Sequence, residues 1–145
     1  MKYTLSNTIN KPLDEVIEKF KDPEGVKHWM EGFQKMEHLS GTPGEVGATT
    51  NFHFLHKKKE MIIHETILEQ NLPNQIKFAY KSPMGNNEVE MKFEKLSDDS
   101  VKQINNSYFE LKGFMKVMGF LFKGMFKKQS LKYMTAFKEY VEGGA

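Results

Sequence analysis

The sequence predicts an α+β fold: a curved, seven-stranded antiparallel sheet wrapped on one long C-terminal helix, with two short helices between strands 1 and 2. Three observations lead there. Six runs with strand character follow one another between residues 33 and 111, separated by turn clusters too short for parallel crossovers. A seventh run opens the chain and is set apart from the others by a stretch with helical spacing. From Gly113 onward, about 30 residues repeat their apolar side chains at the spacing of a helix.

The first strand, Lys2 to Asn10, puts Tyr3, Leu5 and Ile9 on one face. In "KPLDEVIEKF", Pro12 stands where a first helical turn tolerates it, and Leu13, Val16, Ile17 and Phe20 follow at helical spacing. "DPEGVKHWMEG" starts a second short helix, with Asp22 as its N-cap, Pro23 at its first position and Trp29 near its end. The remaining strands are predicted at Phe33–Ser40, Ala48–Lys57, Lys59–Gln70, Gln75–Ser82, Asn87–Leu96 and Ser100–Leu111. Their punctuation is "GTPGEVG", "KKK", "NLPN", "SPMGNN" and "SDDS". Such an antiparallel meander must cover its apolar face, and the last helix is the element left to do it.

Within that helix, "GFMKVMGFLFKGMFKKQ" carries three glycines and seven Phe or Met side chains. At 100° per residue, Phe114, Met118, Leu121, Phe122 and Met125 share a face, with Lys116, Lys123 and Lys127 opposite. Further on, the apolar set is Met134, Phe137 and Val141, flanked by Tyr133 and Tyr140 and rotated by roughly a quarter turn. The rotation predicts a kink or break between Phe126 and Ser130. Each glycine costs a helix interior about 1 kcal/mol relative to Ala. Unbranched, polarizable Met refills a space whose contents change. Residues 113 to 126 therefore read either as a soft lid over an apolar cavity or as plain core.

Composition narrows the function. At 145 residues the chain is expected to be one ligand-binding domain, 1–145, large enough for a real core. It has no apolar run long enough to span a bilayer, and its start lacks the apolar segment of a signal peptide, so a cytoplasmic location is expected. The absence of Cys excludes disulfides, zinc-thiolate sites and thiol nucleophiles. All 21 basic residues are Lys, and the net charge is only +2. Without Arg, bidentate reading of phosphate or guanine is unsupported, and no nucleic-acid partner is expected.

The order of elements, with "INKPLDEVIEKFKDPEGVKHWMEG", "MEHLSGTPGEVGATTNFHF", "ETILEQNLPNQIKFAY" and "FKKQSLKYMTAFKEYVE", resembles the START-like superfamily, also called the SRPBCC or Bet v 1-like helix-grip group. Pro12, Trp29, Gly44, Gly47 and Pro73 stand where that pattern expects them, and the closest flavour is that of small bacterial polyketide cyclase/dehydrase-like proteins. The resemblance implies a cavity between the sheet and the first half of the last helix, but no particular reaction. Carried onto this chain, the cavity wall would include Trp29, Phe52, Phe54, Glu65, Tyr80, Met91 and Tyr108 from the body. The lid would add Phe114, Met118, Leu121 and Met125.

Candidate acid/base groups are Glu65, Tyr80 and Tyr108. Alternation places Glu65 among Met61, Ile63 and Ile67, where a carboxylate needs a partner or a raised pKa. The other readings are a one-residue register slip or pairing with a Lys at the sheet margin. Tyr80, in phase with Ile76 and Phe78, and Tyr108 are the hydroxyls placed to reach a cavity. His53 and His64 would face each other across a hairpin turning at Lys58–Lys59, but no third ligand is assured and no metal or other cofactor is expected. "GTPGEVG" lacks the continuation of a phosphate loop, and there is no Gly-x-Ser-x-Gly nucleophile.

The expected function is binding or transport of a small hydrophobic or amphipathic molecule. The alternative is a cyclase/dehydratase-like enzyme with Glu or Tyr as acid/base. A transient membrane contact through Phe120 and Phe122 with Lys116, Lys123, Lys127 and Lys128, and a protein-interaction role for the lid or sheet edge, complete the set.

Overall fold

The computed structural model describes residues 1–143, with the backbone alone for Met115 and Phe120. In chain order it contains β1 (Lys2–Ile9), α1 (Leu13–Lys21), a 3-10 helix (Pro23–His28), β2 (Phe33–Ser40), β3 (Thr49–His56) and β4 (Lys59–Asn71). There follow β5 (Gln75–Ser82), β6 (Gly85–Ser97), β7 (Ser100–Leu111), α2 (Phe114–Val117) and α3 (Gly119–Gly143). The strands make one antiparallel sheet in the order β1-β7-β6-β5-β4-β3-β2. The meander thus runs from β2 to β7, and β1 closes the far edge.

Local chemistry explains the boundaries. The Pro12 carbonyl accepts the Val16 N–H at 3.1 Å and opens α1. Asp22 Oδ1 accepts the Glu24 N–H at 2.9 Å, with Pro23 beginning the 3-10 helix. In "GTPGEVG", Gly41 has φ +79, and an added Cβ would lie 2.8 Å from Ala48 Cα, so both conformation and space demand glycine.

The β3–β4 turn is Lys57–Lys58, both at positive φ, one residue before the expected Lys58–Lys59. That step sets His53 opposite Ile62 and His64 opposite Asn51, which corrects the predicted His53–His64 pairing. His53 Nε2 instead lies 3.0 Å from Glu37, and His64 Nδ1 lies 3.0 Å from Asn51 Oδ1.

The main core joins Ile9, Val16, Ile67, Ile76, Phe93 and Val101 to Phe137 and Val141 of α3. Phe20, Trp29 and Phe137 meet as ring pairs 5.2 to 6.2 Å apart. A second, smaller cluster packs Val26, Phe52 and Phe54 with Phe33, Met30, Met36 and Ile63.

Along β1, α3 is fastened by four side chains. Tyr3 Oη contacts Ser130 Oγ at 2.5 Å and donates to the Phe126 carbonyl at 3.1 Å. Asn7 Nδ2 donates to the Met134 carbonyl at 3.1 Å, and Lys138 Nζ donates to the Thr8 carbonyl at 2.6 Å. Glu142 Oε2 accepts the Asn10 N–H at 2.7 Å. Strand and helix run in the same direction, and a strand rises about twice as far per residue as a helix, so the contacts stay in step.

The chain breaks its last helix at Met118, between α2 and α3, not between Phe126 and Ser130. No rotation is needed there because the inward side chains of the first half are Phe122 and Phe126, which line up with Ser130, Tyr133 and Phe137. No helix among the described residues is long and apolar enough to cross a membrane.

Candidate functional site

Strand register decides which side chains reach the concave face. Glu65 opposes Tyr80, Ile67 opposes Phe78 and Phe52 opposes Ile63, all with buried or half-buried side chains. The face continues through Asn87 and Val89 of β6 to Asn105, Ser107 and Phe109 of β7, then to Tyr3 of β1. Opposite these stand Phe122, Phe126, Gln129 and Tyr133 of α3. Phe126 stacks on Phe109 at 4.4 Å, and Phe109 stacks on Tyr3 at 5.8 Å.

At the centre is a carboxyl–phenol pair. Tyr80 Oη donates to Glu65 Oε2 at 2.8 Å, and Glu65 is 8% exposed. No ion pair of Glu65 with a lysine or histidine occurs among the described residues. Burial raises the Glu65 carboxyl from 4.5 to about 7, against the opposing effect of the Tyr80 hydrogen bond. Burial, and then the Glu65 charge and hydrogen bond, push Tyr80 well above 10, with Tyr133 adding to the effect. Tyr133 is itself raised by burial. Of the readings left open for Glu65, the slipped strand is excluded, because the observed register buries this carboxyl on the concave face.

Other polar groups share the interior. Ser107 Oγ donates to Asn105 Oδ1 at 2.6 Å, and Gln103 Nε2 contacts Met91 Sδ at 3.2 Å. Among the described residues, Asn7 Oδ1, Gln103 Oε1, Trp29 Nε1 and Gln129 Nε2 are buried without a partner. Trp29 and Tyr133 also border a cleft of about 270 Å³ between the 3-10 helix and α3, spanned by a 3.4 Å Lys132–Glu31 contact. A wider groove of about 830 Å³ runs outside α1, past Pro12, Ile17, Pro73 and Lys95. None of the interior polar groups borders it.

The predicted site residues fall into three groups. Glu65 and Tyr80 come together, with Phe52 and Phe54 buried in the smaller cluster, Met91 buried in the main one and Trp29, half-buried, packed against it. Met118 is half-buried. Tyr108 is a correction: it lies on the outer face, 42% exposed, with Lys2 Nζ 5.8 Å from its ring centroid. Three lid residues are corrections too, because Phe114, Leu121 and Met125 are 72%, 60% and 46% exposed. Of the face predicted for this segment, Phe122 turns inward, one stripe round the helix with Phe126, while Leu121 and Met125 stay outside. Phe122, also weighed for a membrane contact, is half-buried; the Phe120 side chain lies outside the described residues.

Asn105, Ser107 and Gln129 were not among the predicted residues. In "VKQINNSYF" the apolar residues are divided between both faces, Val101 and Phe109 on one and Ile104 and Tyr108 on the other. The usable signal was the in-phase series from Val101 through Gln103 and Asn105 to Ser107.

By sequence, no family model matches the chain and no curated protein matches it. By structure, the Zhui aromatase/cyclase from Streptomyces sp. R1128 superposes with TM-score 0.83 at 13% identity, over 98% of this chain and 93% of that one. A conserved protein from Geobacillus kaustophilus gives 0.81 at 14% identity, over 97% and 95%. Ara h 8.0201 gives 0.75 at 14% identity, over 97% of both chains. These likenesses, at 13–14% identity, show the fold: a seven-stranded antiparallel sheet with short helices between β1 and β2 and a long closing helix, the helix-grip fold.

Proposed function

We propose that this chain binds a small hydrophobic or amphipathic molecule between its concave face and the first half of α3. One observation carries the reading. The two apolar clusters are separate, and between them lies a stretch whose inward side chains stay half-buried around one buried carboxyl–phenol pair. Met61, Ile63, Val89, Phe122 and Phe126 offer apolar wall, while Tyr80, Glu65 and Gln129 offer polar anchors. That mixture suits an occupant with a greasy body and one or two oxygens. The structural likeness to an aromatase/cyclase and to Ara h 8.0201 is compatible with it.

The test is titration with a hydrophobic fluorescent dye. The folded protein is expected to bind it at about micromolar affinity, and Met118→Asp to abolish binding by placing a charge in the wall. A folded parent protein that takes up no dye overturns the proposal.

A second reading, proton transfer in a cyclase/dehydratase-like reaction, is favoured by Glu65 alone. A carboxyl titrating at about 7 is divided between acceptor and donor at neutral pH. Tyr108, on the outer face, has no part in it. Glu65→Gln keeps an acceptor for Tyr80. It is expected to remove turnover of a poly-β-ketone chain while leaving dye binding in place; undiminished turnover rejects the reading.

A further inference from the structure

The face of the lid that turns away from the sheet has a composition the binding site does not explain. Phe114 and Val117 of α2 are 72% and 79% exposed, and Leu121 and Met125 of α3 are 60% and 46% exposed. An isolated exposed apolar residue is ordinary, but four within twelve positions form a surface that water disfavours. Leu121 and Met125 are one turn apart, so they form a single ridge on α3.

Charge is distributed just as unevenly. From Leu111 to Lys138 the chain has seven lysines and no Asp or Glu. Lys112, Lys116, Lys123, Lys127 and Lys128 are exposed, and among the described residues none of these five forms an ion pair. Lys128 returns to within about 20° of the Leu121 position on the helix. The rest of the chain, with 14 lysines against 19 acids, is net negative by five, although the whole chain carries +2. The local excess is therefore a property of the lid.

We propose that α2 and the first half of α3 dock on an anionic lipid bilayer, with Phe114, Val117, Leu121 and Met125 entering the headgroup region, Lys128 meeting lipid phosphates beside Leu121, and Lys116, Lys123 and Lys127, farther round the helix, adding attraction to the anionic surface. A second copy of this chain is a poorer occupant, because a two-fold pairing of this face would set one lysine cluster against another. A bilayer supplies the complementary charge and an apolar layer at once, and it requires no matching groove on this convex helix surface. The other side of the same segment carries Phe122 and Phe126 toward the concave face. Docking would therefore bring the soft wall of the interior to the lipid surface.

The test is co-sedimentation with vesicles of phosphatidylcholine alone and of phosphatidylcholine mixed with phosphatidylglycerol. The protein is expected to pellet with the mixed vesicles only, and to be released as salt shortens the screening length from about 10 Å at 0.1 M toward about 3 Å at 1 M. Lys116→Gln with Lys128→Gln should weaken binding about 25-fold, at about fivefold per lysine. Leu121→Ser with Met125→Ser should weaken it at least about tenfold through lost apolar insertion. These positions face solvent, so circular dichroism and dye uptake should stay at parent values, which separates this proposal from the ligand-binding one. Failure to pellet with mixed vesicles at low salt overturns it. So does pelleting that the Ser pair leaves unchanged, or a parent dimer that the Ser pair dissolves.

Discussion

Glu65 is where a single side chain changes the behaviour of the whole protein. Burial holds its proton in the folded chain up to about 7, whereas the unfolded chain releases it near 4.5. The native state thus binds more protons between these values, so this group makes stability fall as pH rises through that window. Above about 7 the loss is complete, at about 3 kcal/mol for a shift of this size. Glu90 and Glu142 act in the opposite sense: hydrogen bonds from Asn106 and Lys138 hold their carboxyls below the usual value, so their contribution disappears at more acidic pH. Glu65→Gln has no charge to bury and should be flat across the Glu65 window. Urea unfolding of parent and variant should nearly coincide near pH 4.5 and diverge by about 3 kcal/mol in favour of the variant above pH 7. A constant difference at all pH values would mean that Glu65 does not titrate as a buried group. The identity of this residue was legible in the strand alternation; its partner was not, because opposing Tyr80 to Glu65 depends on the β4–β5 register and the irregularity between Ile67 and Glu69.

At the scale of the element, α3 joins a tightly packed half to a more exposed one. Its second half is tied to β1 through Asn7, Thr8 and Asn10 and buried through Met134, Phe137 and Val141. Its first half rests on Tyr3, Phe109 and half-buried Phe122 and Phe126, and it carries Gly119 and Gly124. A Cβ at Gly124 would meet nothing within 4 Å, so packing does not require glycine there. Gly124→Ala should therefore stabilise the helix by about 1 kcal/mol and, by stiffening the lid, slow dye dissociation in stopped-flow measurements. Faster dissociation, or a lower melting temperature, would show that this glycine has some other purpose. The strands were readable because their turn clusters are distinct. The lid was not, because Phe, Met and Leu occupy adjacent stripes of the same helix and periodicity alone does not say which stripe the sheet takes. Two stripes, Leu121–Met125 and Phe122–Phe126, differ by one residue, and the choice falls to tertiary contacts with Phe109 and Tyr3.

Across the whole molecule, a closed core and a more open packing stand at opposite ends of the sheet. Phe137, 1% exposed, is enclosed by Phe20 and Trp29 in the main cluster, at the end where α1 and the last turns of α3 also pack. Phe126 stacks on Phe109 but remains half-buried at the other end. Removing a large ring from a closed core loses both its transfer energy and the contacts around the cavity left behind, whereas a site already open to solvent has less to lose. Phe137→Ala should accordingly destabilise the protein by about 3–5 kcal/mol in urea unfolding, and Phe126→Ala by less than half of that. Native-state hydrogen exchange should show the same division. In Phe137→Ala, amides of β6, β7 and the second half of α3 should lose protection together, as expected for global unfolding. In Phe126→Ala the loss should be confined to α2 and the first turns of α3. If both variants lost the same stability and exchanged the same amides, lid and core would be one cooperative unit, and a soft wall over a fixed base would be the wrong description of this fold.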